Sequence, residues 1–240
     1  MIQFQDIYKS FGKLDVLKGV TTEVSGGGIS AILGPNGSGK TTLIKMLLGM
    51  VYPNNGEIIF DGKPIKKEWN YKKDISYLPQ IARFPENLTI NNLIELIKDI
   101  RGGNSEEKKL IELFDLKSHL DKKIKHLSGG TKQKVNITLA MMYDNPVIVL
   151  DEPSTGLDPI ALVRLKNLIL EERKKGKNIL ITTHIMSLVE DLSDEILYLL
   201  EGKIHFRGTI PEIKEFTGAI NLETAIANLL EQKNAENIKV

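Results

Sequence analysis

Ile29-Ser30-Ala31-Ile32-Leu33-Gly34-Pro35-Asn36-Gly37-Ser38-Gly39-Lys40-Thr41-Thr42 reads as an apolar strand, a glycine-rich turn and the start of a helix. The turn fits G-x-x-x-x-G-K-[ST], in which glycines without a Cβ let successive backbone N–H groups turn inward around phosphate oxygens. Lys40 supplies a point charge to the terminal phosphates and Thr41 a hydroxyl to Mg²⁺. A helix opening near Lys40 adds the positive end of its dipole. Leu43, Ile44, Met46, Leu47 and Leu48 continue as a broad apolar face, as a helix packed on a sheet requires. Gly34, Pro35, Asn36, Gly37, Ser38, Gly39, Lys40, Thr41 and Thr42 are therefore expected to cradle a nucleoside triphosphate.

Upstream, residues 2 to 33 read as short strands separated by turn signals at Gly12-Lys13, Gly19 and Gly26-Gly27-Gly28. Downstream, Pro53-Asn54-Asn55-Gly56 is a turn, Glu57-Ile58-Ile59-Phe60 a strand and Asp61-Gly62 a hairpin turn. From Leu88 to about Asp144 the period becomes helical. Leu93, Ile94, Leu96 and Ile97 form one apolar stripe and Leu110, Ile111, Leu113 and Phe114 another, with Gly102-Gly103 between them. Val147-Ile148-Val149-Leu150 and Asn178-Ile179-Leu180-Ile181-Thr182 are continuously apolar, as parallel strands covered on both faces are. Residues 160 to 175 between them are helical.

Asp151-Glu152 ends the first of those two strands, where α/β sheets bind ligands. Beside a Mg²⁺-triphosphate two adjacent carboxylates can divide the work: Asp151 holds the metal, and Glu152 orients and deprotonates the attacking water. Leu127-Ser128-Gly129-Gly130-Thr131-Lys132-Gln133 makes a second phosphate-compatible helix start, although Ser128-Gly129-Gly130 reads equally as a plain N-cap and turn. Ser128 lies 88 residues beyond Lys40 across helical sequence, so both anion sites are hard to bring onto one nucleotide within one chain.

The order of these parts resembles the ATP-binding subunit of ABC transporters over residues 1 to 215. The resemblance implies roles residue by residue. Phe11 stacks on adenine, with Tyr8 as the nearby substitute. Gly34 to Thr42 is Walker A, and Gln80 is the Q-loop glutamine, touching Mg²⁺ and a water. Ser128-Gly129-Gly130 is the signature. Val147 to Asp151 is Walker B with Glu152 as catalytic carboxylate, Asp158 belongs to the D-loop, and His184, at a strand end, contacts the γ-phosphate. Thr131 stands where glutamine is commonest. The implied metal set is Thr41, Gln80 and Asp151, and the implied ligands are ATP and Mg²⁺.

The resemblance further implies a P-loop NTPase of the RecA-like α/β class. Its mainly parallel sheet core would carry an N-terminal antiparallel β subdomain and an α-helical subdomain inserted at about 84–145, with residues 216–240 a C-terminal helical extension. Two copies, or one copy and a homologous ATPase subunit, would pair head to tail, each ATP lying between one copy's Walker A and the other's Ser128-Gly129-Gly130. Transmembrane permease subunits would dock near Arg83, Phe84, Pro85 and Glu86, placing the chain in the cytoplasm on the inner face of the membrane. Residues 209–226 are similar to endings of subunits that serve export-type partners, and residues 182–191 and 199–208 to copper-related ATPases of nitrous oxide reductase maturation.

Composition narrows the alternatives. The 240 residues allow one large α/β domain with a subdomain. Lys and Arg number 32 against 31 Asp and Glu, so no global field draws the chain to nucleic acid or to an anionic membrane, and no nucleic-acid partner is expected. With no cysteine, disulfides and thiolate metal sites are excluded. No apolar run approaches the roughly 20 residues of a spanning helix, and the first residues lack the charged start and apolar core of a signal peptide. A chromosome-organising or DNA-repair ATPase would carry long heptad insertions between Walker A and the signature. A ribosome-acting factor would carry two cassettes. His119, His126 and His205 read as surface residues, and Asn234 onward as a fraying end.

Overall fold

The structure, a computed structural model, describes residues 1–24 and 26–237, with the backbone alone for 232–237. In chain order the strands and helices are β1 Ile2–Phe11, β2 Leu14–Val24, β3 Gly28–Leu33, α1 Lys40–Leu47, β4 Asn55–Phe60, β5 Lys63–Pro64, β6 Ile75–Leu78, α2 Ile90–Arg101 and α3 Glu107–Leu113. There follow α4 Gly129–Met141, β7 Val147–Asp151, α5 Pro159–Lys174, β8 Asn178–Thr183, α6 Met186–Leu192, β9 Glu195–Leu200, β10 Lys203–Gly208, α7 Ile210–Thr217 and α8 Leu222–Asn237. They form two compact units, Met1–Lys66 with the residues from Thr182 onward, and Lys67–Ile181.

In the first unit β2-β1-β4-β5 is an antiparallel sheet. Its strands are longer than the sequence led us to expect, because Gly19 is not a turn. Ile7 faces Val20 and Tyr8 faces Lys18, leaving Gly19 as the extra residue of a bulge at φ 81°. A Cβ there would sit 2.8 Å from the Tyr8 hydroxyl. Asp61 and Gly62, both at positive φ, close the β4–β5 turn as expected. β3 runs parallel to β9, with Ser30 opposite Glu195 and Leu33 opposite Tyr198, and β9 pairs antiparallel with β10. Leu43, Ile44, Met46, Leu47 and Leu48 of the α1 segment are all buried.

The C-terminal helices belong to this same core. α7 starts on a capping box in which the Thr209 hydroxyl accepts from Glu212 N and the Glu212 carboxylate accepts from Thr209 N. Ile213, Leu222, Ala225 and Ile226 pack with Ala31, Leu33, Ile196 and Tyr198 of the sheet. The expected division between residues 215 and 216 falls inside α7, and residues 238–240 of the expected extension lie outside the described residues.

In the second unit β6 and β7 pair in parallel from Ile75 opposite Val147 to Leu78 opposite Leu150, and β8 lies on the other side of β7. α5 connects β7 to β8 and starts on Asp158, whose side chain accepts from Ala161 N, with Pro159 at the first helical position. α2 starts on a Thr89–Asn92 capping box and ends at Gly102, where φ is 65°. Its apolar stripe is only half used: Leu93 and Ile94 are buried, whereas Leu96 is 41% exposed. A helix packed against α4 along one line covers a narrower arc than the stripe spans.

Candidate functional site

In the first unit, β3 delivers the chain into the cradle. Gly34 takes φ 155°, and a Cβ there would lie 2.1 Å from the Leu199 carbonyl of β9, so this turn can run so close to the sheet only with glycine. Gly39, at φ 108°, leads into α1, and a Cβ there would lie 2.6 Å from Leu17. Around Gly37 the space is open. The Lys40 ammonium is buried and donates to the carbonyls of Gly34 at 2.7 Å and Pro35 at 3.1 Å. That holds the charge over the concave side of the turn.

Ser38 is 3% exposed, and its hydroxyl has no hydrogen-bond partner among the described residues. A buried hydroxyl left unpaired costs free energy unless an acceptor arrives, and a phosphate oxygen is such an acceptor. α1 begins on Gly39 with no side-chain cap, so its first N–H groups face the same turn. Glycines that cannot carry a Cβ, an orphan hydroxyl and a held ammonium are together the chemistry of a triphosphate cradle.

Two further predicted residues belong to this unit. Phe11, ending β1, is 50% exposed with the Lys9 ammonium over its ring, 4.9 Å from the centre; it is not a core residue. His184 is exposed at the first position after β8. There the Thr183 hydroxyl accepts from Ile185 N at 3.1 Å and bends the chain before α6.

The second unit holds the carboxylates and the signature. Asp151, 1% exposed, ends β7, and Glu152, 5% exposed, follows with φ 50°. A left-handed glutamate is uncommon and strained, of the kind that collects at functional sites. It turns the chain sharply off the strand, and Thr155 N then donates to the Glu152 carbonyl at 3.2 Å. Tyr77, on β6, has its phenol pushed up to about 12 by burial and, next, by the Asp151 charge. Gln80 is exposed, two residues beyond β6.

Ser128 is the N-cap of α4: its hydroxyl accepts from Thr131 N at 3.2 Å and lies 2.9 Å from the Thr131 hydroxyl. Threonine in place of the commoner glutamine thus closes the cap from a second side. Gly130 must be glycine on space alone, since a Cβ would lie 2.9 Å from the Gly156 carbonyl. The capping reading and the anion reading of Ser128-Gly129-Gly130 are compatible, because the cap employs Thr131 N.

The residues that tie these parts together carry no motif signal. Gln133, buried on α4, donates to the Pro153 carbonyl at 3.2 Å. Asn136 donates to the Pro79 carbonyl at 3.0 Å and to Gln133 Oε1 at 3.3 Å. Lys134 forms a 2.7 Å ion pair with Asp158, whose carboxyl is held below the usual range by that contact and by Ala161 N. Gln133, Lys134 and Asn136 of α4 therefore position the segments carrying Gln80, Glu152 and Asp158.

The oxygen donors of Thr41, Asp151 and Gln80 suit Mg²⁺, a hard ion that is usually held through one or two carboxylates together with phosphates and waters. Among the described residues no cluster of three or more His, Asp or Glu side chains forms a metal cage.

The family described as ABC transporter matches residues 17–155. The lantibiotic transport ATP-binding protein SrtF of Streptococcus pyogenes is 33% identical over 95% of this chain and 96% of its own length. Nod factor export ATP-binding protein I of Burkholderia lata is 34% identical over 84% of this chain and 68% of its own. A solved structure of an ATP-binding subunit of an ABC transporter superposes with a TM-score of 0.88 at 30% identity, covering 96% of this chain and 99% of that one.

Proposed function

This chain belongs to the ABC transporter family, as one of its ATP-hydrolysing subunits, and on that premise we propose how its residues divide the reaction. The cradle of Gly34 to Thr42 binds the triphosphate, with Lys40 exchanging its two carbonyl partners for terminal phosphate oxygens and the Ser38 hydroxyl gaining its missing partner. Phe11 stacks on the adenine. Thr41, Asp151 and Gln80 hold Mg²⁺, which when bound neutralises charge developing on the phosphate oxygens. Glu152 accepts the proton of the attacking water and His184 holds that water against the γ-phosphate.

Ser128, Gly129 and Gly130 serve the nucleotide of a second copy, offering it the positive end of α4. Asp158 lies beside that interface. ATP is then part of the contact between two head-to-tail copies, and hydrolysis releases them, a shift of population driven by differential nucleotide contacts. The helical segment at about 84–145 acts as an inserted subdomain within residues 1–215, and Arg83, Phe84, Pro85 and Glu86 receive transmembrane subunits on the inner face of the membrane. Among the described residues no helix is long and apolar enough to cross a membrane, so the path for substrate belongs to those partners. Export is the direction named for one relative, Nod factor export ATP-binding protein I.

The observation that carries the reading is the buried Lys40 ammonium held over a turn in which Gly34 and Gly39 admit no Cβ. Mixing two inactive variants tests it. Lys40→Ala loses the cradle and Ser128→Arg loses the signature, yet a mixed pair retains one intact site. About a quarter of normal turnover should return on mixing, as expected of a heterologous interface with statistical pairing. A mixture as inactive as its components would reject the head-to-tail site.

A further inference from the structure

The chain has a single tryptophan, and Trp69 is 64% exposed. It lies in Lys63–Lys73, where five of eleven residues are lysine and Glu68 is the sole acid. One exposed apolar side chain is ordinary on a protein surface, but here the backbone holds the ring out. Lys67 takes φ 69°, a left-handed turn that a lysine adopts only when the surroundings impose it. Trp69 then caps a 3-10 turn at Asn70–Asp74, its carbonyl accepting from Lys72 N at 3.1 Å.

That turn is anchored from within. Tyr71 and Ile75 are buried, and the Arg101 guanidinium donates to the Lys73 carbonyl at 2.8 Å. The fold thus buries the tyrosine and leaves the larger indole outside. The Lys72 ammonium stands 4.4 Å from the centre of the Trp69 ring. Among the described residues Lys67 and Lys73 make no ion pair.

An exposed indole with Lys72 against its ring and Lys67 and Lys73 outside any ion pair matches the surface of an anionic bilayer. The ring is suited to headgroup level, and lysines are drawn in by the negative surface potential. Nucleic acid fits less well, because one aromatic offers a platform for one base only. We infer that the Lys67–Lys73 turn is a lipid-contact surface, Trp69 entering the headgroup layer of an anionic leaflet while Lys67, Lys72 and Lys73 bind its phosphates. The contact lies outside the nucleotide cycle and requires neither ATP nor a transmembrane subunit.

Because Trp69 is the only tryptophan, its fluorescence reports on this turn alone. The purified chain is mixed with phosphatidylcholine vesicles, with and without about one third phosphatidylglycerol, and followed by sedimentation and by tryptophan emission. Binding to the anionic vesicles should exceed binding to the neutral ones by at least about tenfold and weaken in high salt. Emission should shift to the blue and be shielded from acrylamide. The double variant Lys67→Glu, Lys73→Glu should lose vesicle binding while keeping its melting temperature and ATP hydrolysis.

Four results would each overturn the inference: equal binding to both vesicle types, anionic-vesicle binding with unshifted emission, binding that survives in the double variant, and an emission shift given by a short DNA duplex and not by vesicles.

Discussion

The Gln133 side-chain amide donates to the Pro153 carbonyl at 3.2 Å, joining the helix that begins at Ser128 to the residue next to Glu152. The same glutamine accepts from Asn136, which holds the Pro79 carbonyl beside Gln80. Gln133→Leu, similar in size but without polar atoms, leaves the Pro153 carbonyl and the Asn136 amide short of partners in a buried place. We expect a loss of about 1–3 kcal/mol in stability and a fall in kcat of about tenfold or more with little change in ATP affinity. Chemical denaturation and steady-state hydrolysis measure the two effects; an unchanged kcat would show that α4 does not position Glu152.

Glu152→Gln keeps the shape of the side chain and removes its basicity. Turnover should drop by about 10²- to 10⁴-fold, while ATP-dependent pairing of the protein persists on size-exclusion chromatography. Hydrolysis at the normal rate would remove Glu152 from its role as base.

Lys40→Ala deletes the ammonium that the cradle holds over its concave side. Calorimetry should show tight ATP binding abolished, since the phosphate charge then faces backbone dipoles alone. Unchanged affinity would mean that the triphosphate is bound elsewhere.

Ser128→Arg removes the α4 cap and puts a bulky cation where a second copy's nucleotide is proposed to lie. Binding of ATP to the single chain should be nearly intact while light scattering detects no ATP-driven dimer. A dimer of normal stability would contradict the pairing through Ser128-Gly129-Gly130. Loss of the cap alone costs about 1 kcal/mol, so the fold should survive the change.

Acid stability rests partly on Glu172. Burial alone would raise its carboxyl, but hydrogen bonds from Lys175 and Lys177 outweigh burial and hold it below its ordinary 4.5. A depressed carboxyl contributes stability above the unfolded-state value and loses it as pH falls through the folded one. Glu172→Gln also strands the buried Lys177 with Asp144 as its remaining ion-pair partner, at a cost of about 3 kcal/mol or more near neutral pH. Thermal melts should show the wild-type advantage shrinking as pH drops below 4.5; a gap independent of pH would reject the linkage.

The cradle, the strand-end carboxylates and the capped signature were legible because each is made by neighbours in the chain. Glycine spacing, a Ser-Gly-Gly start and an apolar run ending in Asp151-Glu152 encode local backbone geometry, and local geometry follows from local residue types. The same reading failed at Gly19, where a glycine signals a bulge as readily as a turn, and only the partner strand decides which. Leu96 marks the reach of the same reading, since periodicity shows that a helix has an apolar stripe and not how much of it a neighbour covers.

Sequence alone thus determined that the chain binds and cleaves a nucleoside triphosphate, because phosphate recognition uses contiguous N–H groups and one lysine. Tertiary structure decided what holds the machinery in place, Gln133, Lys134 and Asn136 of α4, and left an indole outside at Trp69. Those contacts join residues as far apart as Pro79 and Asn136. Burial and hydrogen bonding across such distances exist only once the chain has folded, so no stretch of sequence carries their pattern.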